Sequence, residues 1–260
     1  MTKLTAVLVL SAIAATGGSN VASAANLTIM AGELPPMIMA DGTGREVEII
    51  TEVMSRCGHE VTFKVQPFTR HWKSYESGTG DAVTTVPQGM PLPGGQSQTY
   101  IQYQNGVSNL QNSGASFANL GSLADHTVIA FMGASDILPG LKAATNSFKS
   151  YKEAADQIVQ SRMIFAQRVD AVIGDGMIFA EFNRQLRDDA ADLPFDPMQN
   201  VQFQATFEPS NYAMNFRDPA LTADFDRCFG EAEADGTIAQ INKVWVEKYR
   251  DTLGSQYLGY

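Results

Sequence analysis

The sequence predicts an α/β protein of two lobes, each a mostly parallel sheet flanked by helices, with two crossover strands joining them. Two runs of alternating strand and helix patterns carry that prediction, one over residues 27–86 and the other over 127–186. A polar passage separates them. Two further strand patterns at 201–206 and 212–216 then lead into a last pair of helices, as if the chain returned to its beginning.

The first residues read as an export leader. One positive charge, Lys3, precedes the apolar run 4–15 (LTAVLVLSAIAA), which is too short to span a bilayer. Gly17 and Gly18 speak against a buried helix, and Ala22-Ser23-Ala24 puts small residues where a signal peptidase reads. Cleavage after Ala24 is expected. No cysteine follows the run in a lipid-attachment position, so no lipid anchor is expected.

Residues 27–31 (LTIMA) form a short apolar strand that ends in Gly32, and Pro35-Pro36 then forces a turn. Val47, Ile50, Met54 and Cys57 recur at helical spacing over 44–57, and Gly58 ends that helix. Residues 60–65 (EVTFKV) alternate as a strand, Phe68, Trp72 and Tyr75 recur as on a helix, and 81–86 (DAVTTV) is the third strand. The stretch 87–98 (PQGMPLPGGQSQ) is a loop longer than a simple connection needs. Residues 101–120 lack helical period and read as an extended passage and then a linker. The second unit follows: a strand at 127–131, helices at 137–145 and 151–161, a strand at 170–173 and a helix at 177–186. An acidic, proline-containing loop at 187–200 precedes the last strands, and Gly236 divides the final helices. The expected division is therefore a leader (1–24), a first lobe (25–107), a second lobe (108–206) and a return to the first lobe (207–260).

The chain carries 28 Asp and Glu against 18 Lys and Arg, a formal charge of −10. That balance excludes nucleic acid, whose phosphates need a basic face, and disfavours anionic membrane surfaces. In an oxidising compartment the pair Cys57 and Cys228 reads as one disulfide, against the alternative of two separate buried thiols. His59, His71 and His126 show no metal spacing, so neither a metal nor another cofactor is expected. No nucleophile-elbow, zinc-protease or phosphate-loop pattern is present.

The order of segments resembles the family 3 extracellular solute-binding proteins, which serve ABC importers and sometimes act as sensor modules. LTIMAGELPPMIMADGTGREVEIITEVMSRCGHEVTF is similar to the family's opening. QPFTRHWKSYESGTGDAVTTV is similar to its second helix and third strand, and NLGSLADHTVIAFMGAS to its entry into the second lobe. RVDAVIGDGMIF and RDPALTADFDRCFGEAEADGTIAQINKVW look like its penultimate and closing segments. The resemblance implies a type II periplasmic-binding-protein fold and a periplasmic monomer. It also implies a small-molecule ligand held between the lobes, with hinges near 105–111 and 205–211. The expected partner is an ABC permease or, alternatively, a membrane sensor. Catalysis is not expected; the minor alternative is a dehydratase-like enzyme on the same fold.

The resemblance also implies a ligand site. Asp175 stands where a carboxylate grips the ligand's amino group, although Asp is equally suited to cap the helix that follows. Glu33 is expected at the cleft rim. Phe68 and Trp72 are candidates to stack on the ligand, while Thr85, Val86 and Gln88 occupy the exit of the third strand. Backbone N–H groups at Gly133 and Ser135 are candidates to hold an anion. The usual carboxylate-binding Arg is missing: its position falls near Pro93, and no Arg or Lys occurs between Lys73 and Lys142. Ordinary amino acids are thereby disfavoured as ligands. Arg70 is the one cationic candidate near the cleft in the first lobe to replace it, and a small cationic or neutral polar molecule is expected instead.

Overall fold

The computed structural model describes residues 25–260, so the leader at 1–24 and its cleavage site lie outside the described residues. The chain opens with β1 (Asn26–Glu33), α1 (Arg45–Arg56), β2 (Glu60–Pro67), α2 (Arg70–Glu76) and β3 (Ala82–Pro87). β1 is central, parallel to β2 from Asn26↔Glu60 to Glu33↔Pro67 and parallel to β3 on its other side. Short β4 (Gly95–Gln96) and β5 (Ile101–Tyr103) follow, and the chain then leaves this sheet.

The second sheet begins at once with β6 (Asn105–Leu110), then β7 (Thr127–Phe131), α3 (Ala134–Ile137), α4 (Leu141–Ala144) and β8 (Ser150–Ala154). After these come α5 (Ile158–Phe165), β9 (Ala171–Asp175), α6 (Gly176–Asp188) and β10 (Val201–Gln204). The strand order is β10-β6-β9-β7-β8, with β8, β7 and β9 parallel and β6 antiparallel to β9. β11 (Ser210–Phe216) returns to the first sheet, antiparallel to β3, and is followed by α7 (Pro219–Ala234), α8 (Thr237–Glu247) and α9 (Arg250–Leu253). Each sheet is thus three parallel strands extended by antiparallel strands from the crossings. The chain passes between sheets twice, at Gln104 and between Gln204 and Ser210.

Three local readings differ from the sequence. Residues 150–154 form a strand beside β7 and not the start of a helix; the helix begins only at Ile158. Paired residues on an outer strand are half-exposed on both faces, so SYKEA lacks the apolar signature of a buried strand. The helix expected over 137–145 is two short pieces, because Pro139-Gly140 interrupts it. Residues 105–110, expected as extended chain and as a hinge, form a fully buried strand between β10 and β9 despite their polar composition, so the first crossing is at Gln104.

One cluster of buried side chains packs α1, α7 and α8 on the first sheet through Ile29, Ile49, Ile50, Val53, Phe216 and Phe225. The same cluster continues into the second lobe through Met177, Ile178 and Phe203. The C-terminal segment makes that continuity. Expected to return to the first lobe alone, it also lays α9 against α6 and β10, with Leu253 and Tyr257 wholly buried. Gly44 holds φ 135° at the start of α1, where a Cβ would lie 2.3 Å from the Met37 carbonyl oxygen. Only glycine lets the loop 34–43 fold back onto that helix.

Cys57 and Cys228 are bridged, with Cα atoms 5.9 Å apart and a sequence separation of 171. The bond ties the end of α1 to the middle of α7. A loop of that length restricts the unfolded chain strongly. We expect the Cys57→Ser/Cys228→Ser double variant to lose about 2–5 kcal/mol of unfolding free energy. Urea titration checks this, and the variant's curve should coincide with that of the reduced wild-type protein.

Candidate functional site

Strand direction locates the site. β6 enters the second sheet beside the carboxyl end of β9 (Asn105↔Asp175), and β11 enters the first sheet beside that of β3 (Tyr212↔Pro87). Both sheets therefore turn the carboxyl ends of their parallel strands toward the crossings, where loops in open α/β sheets gather ligand contacts. The edges meeting there are Glu33, Pro67 and Pro87 from one lobe and Phe131, Ala154 and Asp175 from the other.

On the first lobe, Glu33 is exposed and Phe68 half-buried. The Phe68 ring lies 5.2 Å from Trp72 and 5.3 Å from His71. Trp72 Nε1 donates to the Thr84 carbonyl at 3.2 Å, which fixes the indole against β3. His71 packs under these rings against Gly32, where a Cβ would come within 2.5 Å of it. Neither ring nitrogen of His71 has a hydrogen-bond partner, and burial pushes its pKa down to about 4. Arg70 is exposed. Gln88 is exposed and donates to Thr99 Oγ1 at 3.1 Å.

The other expected contacts on this lobe are turned inward. Val86 is wholly buried with Met30, Tyr75 and Val83. Thr85 is buried at φ 55°, and its hydroxyl donates to Glu46 Oε1 at 2.8 Å. These two side chains serve the interior, which period-two reading of a strand buried on both faces cannot reveal. Pro93, near which the usual Arg would fall, lies beside the amino end of β3 and away from the crossings, where its carbonyl accepts from Tyr75 OH at 2.8 Å and from Asn215 Nδ2 at 3.2 Å.

On the second lobe, the N–H groups of Gly133 and Ser135 do converge, but the chain already fills them. Gly133 N donates to Glu153 Oε2 at 2.8 Å and Ser135 N to Glu153 Oε1 at 2.9 Å; Tyr151 OH donates to the same Oε1 at 2.8 Å. Burial opposes the charge on Glu153, yet these three donors outweigh it and hold its pKa down to about 2. Sequence reading missed Glu153 because it placed 151–161 on a helix. The alternation of Tyr151 and Glu153 on one strand face was the available signal.

Asp175 is buried, and both of its oxygens are engaged. Oδ1 accepts from Met177 N at 2.9 Å and Ile178 N at 3.0 Å, capping α6, while Oδ2 accepts from Tyr257 OH at 2.8 Å. The capping role, the alternative open to it from sequence, is the one its geometry fills. Burial pushes its pKa up to about 6. Around it lies a polar knot. Arg45 donates from Nε to Asn242 Oδ1 at 2.9 Å and from Nη1 to the Gln102 carbonyl at 3.1 Å. Glu46 accepts from Tyr103 OH at 2.7 Å and from Tyr100 OH, and burial raises its pKa.

Hydrogen bonds that join the two lobes include Tyr257–Asp175, Tyr249–Glu181, Arg187–Asp251 and Asn105–Ser210, and Gln104–Phe207 ties the two crossings together. Among the described residues, none joins Glu33, Phe68, Arg70, Trp72 or Gln88 to residues 131–137 or 153–160. Nor does any group of three or more His, Cys, Asp or Glu among the described residues have the arrangement to hold a metal.

No protein-family model matches the sequence, and no curated protein does. Solved structures do. The probable amino-acid ABC transporter extracellular-binding protein ytmK from Bacillus subtilis superposes with TM-score 0.68 at 20% identity, covering 85% of this chain and 98% of that one. An ancestral arginine-binding protein bound to glutamine gives 0.63 at 18% identity, covering 85% and 97%. A histidine kinase sensor domain with similarity to periplasmic binding proteins gives 0.64 at 14% identity, covering 85% and 96%. The fold is that of the type II periplasmic binding proteins.

The raised pKa of Asp175 has a definite sign for stability. Its charged form is disfavoured in the folded chain, so its contribution is complete below about pH 4 and lost as pH rises through about 6. Asp175→Asn keeps the cap and the Tyr257 contact without the charge. We expect it to be more stable than wild type by about 1–3 kcal/mol near pH 7.5, the difference vanishing near pH 4. Denaturant unfolding at the two pH values checks this; a variant less stable at the higher pH would contradict it.

Proposed function

We propose that this chain is an exported family 3 solute-binding protein, which captures a small polar molecule between its lobes and presents the closed form to an ABC permease. The observation that supports it most is the arrangement of the two edges. Two sheets meet across a doubly strapped hinge and are hydrogen-bonded to each other around Asp175 and the crossings, while among the described residues no hydrogen bond joins Glu33, Phe68 or Trp72 to residues 131–137 or 153–160. Such a body can close by changing a few backbone angles at the crossings while each lobe stays rigid. Gln104 and residues 205–209 are where that bending takes place. The leader pattern at 1–24 supports export to the periplasm.

The chemistry favours binding over catalysis. Glu153, held at about 2, is a weak base at neutral pH, and Asp175 and Glu46 are committed to the hinge. A dehydratase-like reaction would need a clamp for a carboxylate, and the loop 87–98 carries no cation to provide one. A second reading, in which the closed form signals to a membrane sensor, is favoured by the likeness to a histidine kinase sensor domain.

A thermal-shift screen of polar metabolites, followed by solution scattering on each hit, tests the proposal. A ligand at 100 times its Kd should add about 2.7 kcal/mol of stability, and the same ligand should reduce the radius of gyration. A protein that no metabolite stabilises and whose dimensions respond to none would refute capture by closure.

A further inference from the structure

We propose that the interlobe cleft takes an organic amine that carries no carboxylate. This ligand class rests on the solute-binding reading and specifies the chemistry of the same site.

An α-amino acid brings a carboxylate and an ammonium, and a cleft that holds it must offer donors or a cation to the first. On the second lobe the converging donors are Gly133 N, Ser135 N and Tyr151 OH, and Glu153 takes all three at 2.8–2.9 Å. A solute carboxylate would have to displace Glu153 or lie against it, and two like charges at that distance repel strongly. The carboxylate receptor is therefore filled by the protein itself. On the first lobe, loop 87–98 carries no Lys or Arg. Glu33 stands exposed at the end of β1. Arg70 is the only Lys or Arg between Lys64 and Lys73, and it is exposed to solvent.

What remains suits a cation. Glu153 keeps its charge and is half-exposed, so it can pair with an ammonium that loses water on closure. Phe68 and Trp72 offer ring surface of the kind on which ammonium groups rest. Met132 and Ile137, 58% and 59% exposed beside Gly133, give apolar contact for a hydrocarbon body.

Calorimetry with pairs of molecules that differ only in the carboxylate tests the assignment: putrescine and ornithine, cadaverine and lysine, agmatine and arginine. At least one amine should bind, with its carboxylated counterpart 100-fold weaker or undetectable. Glu153→Gln keeps an oxygen for the N–H groups but removes the charge, and should weaken the amine at least tenfold. Glu153→Ala frees the donors and should let the carboxylated partner gain affinity. The assignment is overturned if any amino acid binds as tightly as its amine, or if Glu153→Gln leaves amine affinity unchanged. It is also overturned if no amine in the series binds. In that last case a hit elsewhere in the metabolite screen would leave the solute-binding reading standing, and no hit anywhere would remove both.

Discussion

The architecture depends on a knot of polar side chains buried where the two crossings run. Arg45, Glu46 and Asp175 lie out of water, and charged groups in that position are tolerated only when they are paired and hydrogen-bonded. Three tyrosines, a threonine, an asparagine, the Gln102 carbonyl and the N–H groups of Met177 and Ile178 provide that satisfaction. The contributors come from α1, β3, β5, β9, α8 and the C-terminal segment, so every long-range piece of the chain must be in place before the knot is complete. Breaking one partner leaves a buried charge without compensation. The Tyr257–Asp175 bond carries this knot across to the second lobe, beside the apolar cluster that runs from the first sheet to Met177, Ile178 and Phe203.

The sequence makes the layered architecture readable because each core strand is apolar and each long helix has a clear stripe. Ile29, Ile50 and Met54 all lie in the core as the periodicity predicts. It fails where burial and polarity part company. β6, NGVSNL, is buried at every position because it runs between lobes, and no alternation marks such a strand. β8 fails for the opposite reason: an outer strand with both faces wet carries little apolar signal.

The candidate site was legible in part. The rim positions Glu33, Phe68 and Gln88 could be placed from strand ends alone. Thr85, Val86 and Asp175 could not be separated from structural roles, because their side-chain direction is decided by partners far along the chain, Glu46 and Tyr257. Glu153 was invisible for a related reason. Its partners stand 18 and 20 residues away on a different loop, and only the parallel pairing of β7 with β8 brings them together. The consequence is chemical. A carboxylate of the chain itself occupies the donors at Gly133 and Ser135.

The C-terminal segment also bears on what makes the molecule whole. Tyr257 and Tyr249 reach across from the first lobe to Asp175 and Glu181 on the second, and Gln256 accepts from Ala205 N at 3.0 Å. Residues 249–257 are thus the clasp of the joint. A chain cut short before this stretch would keep both halves and lose the posture that makes them one instrument.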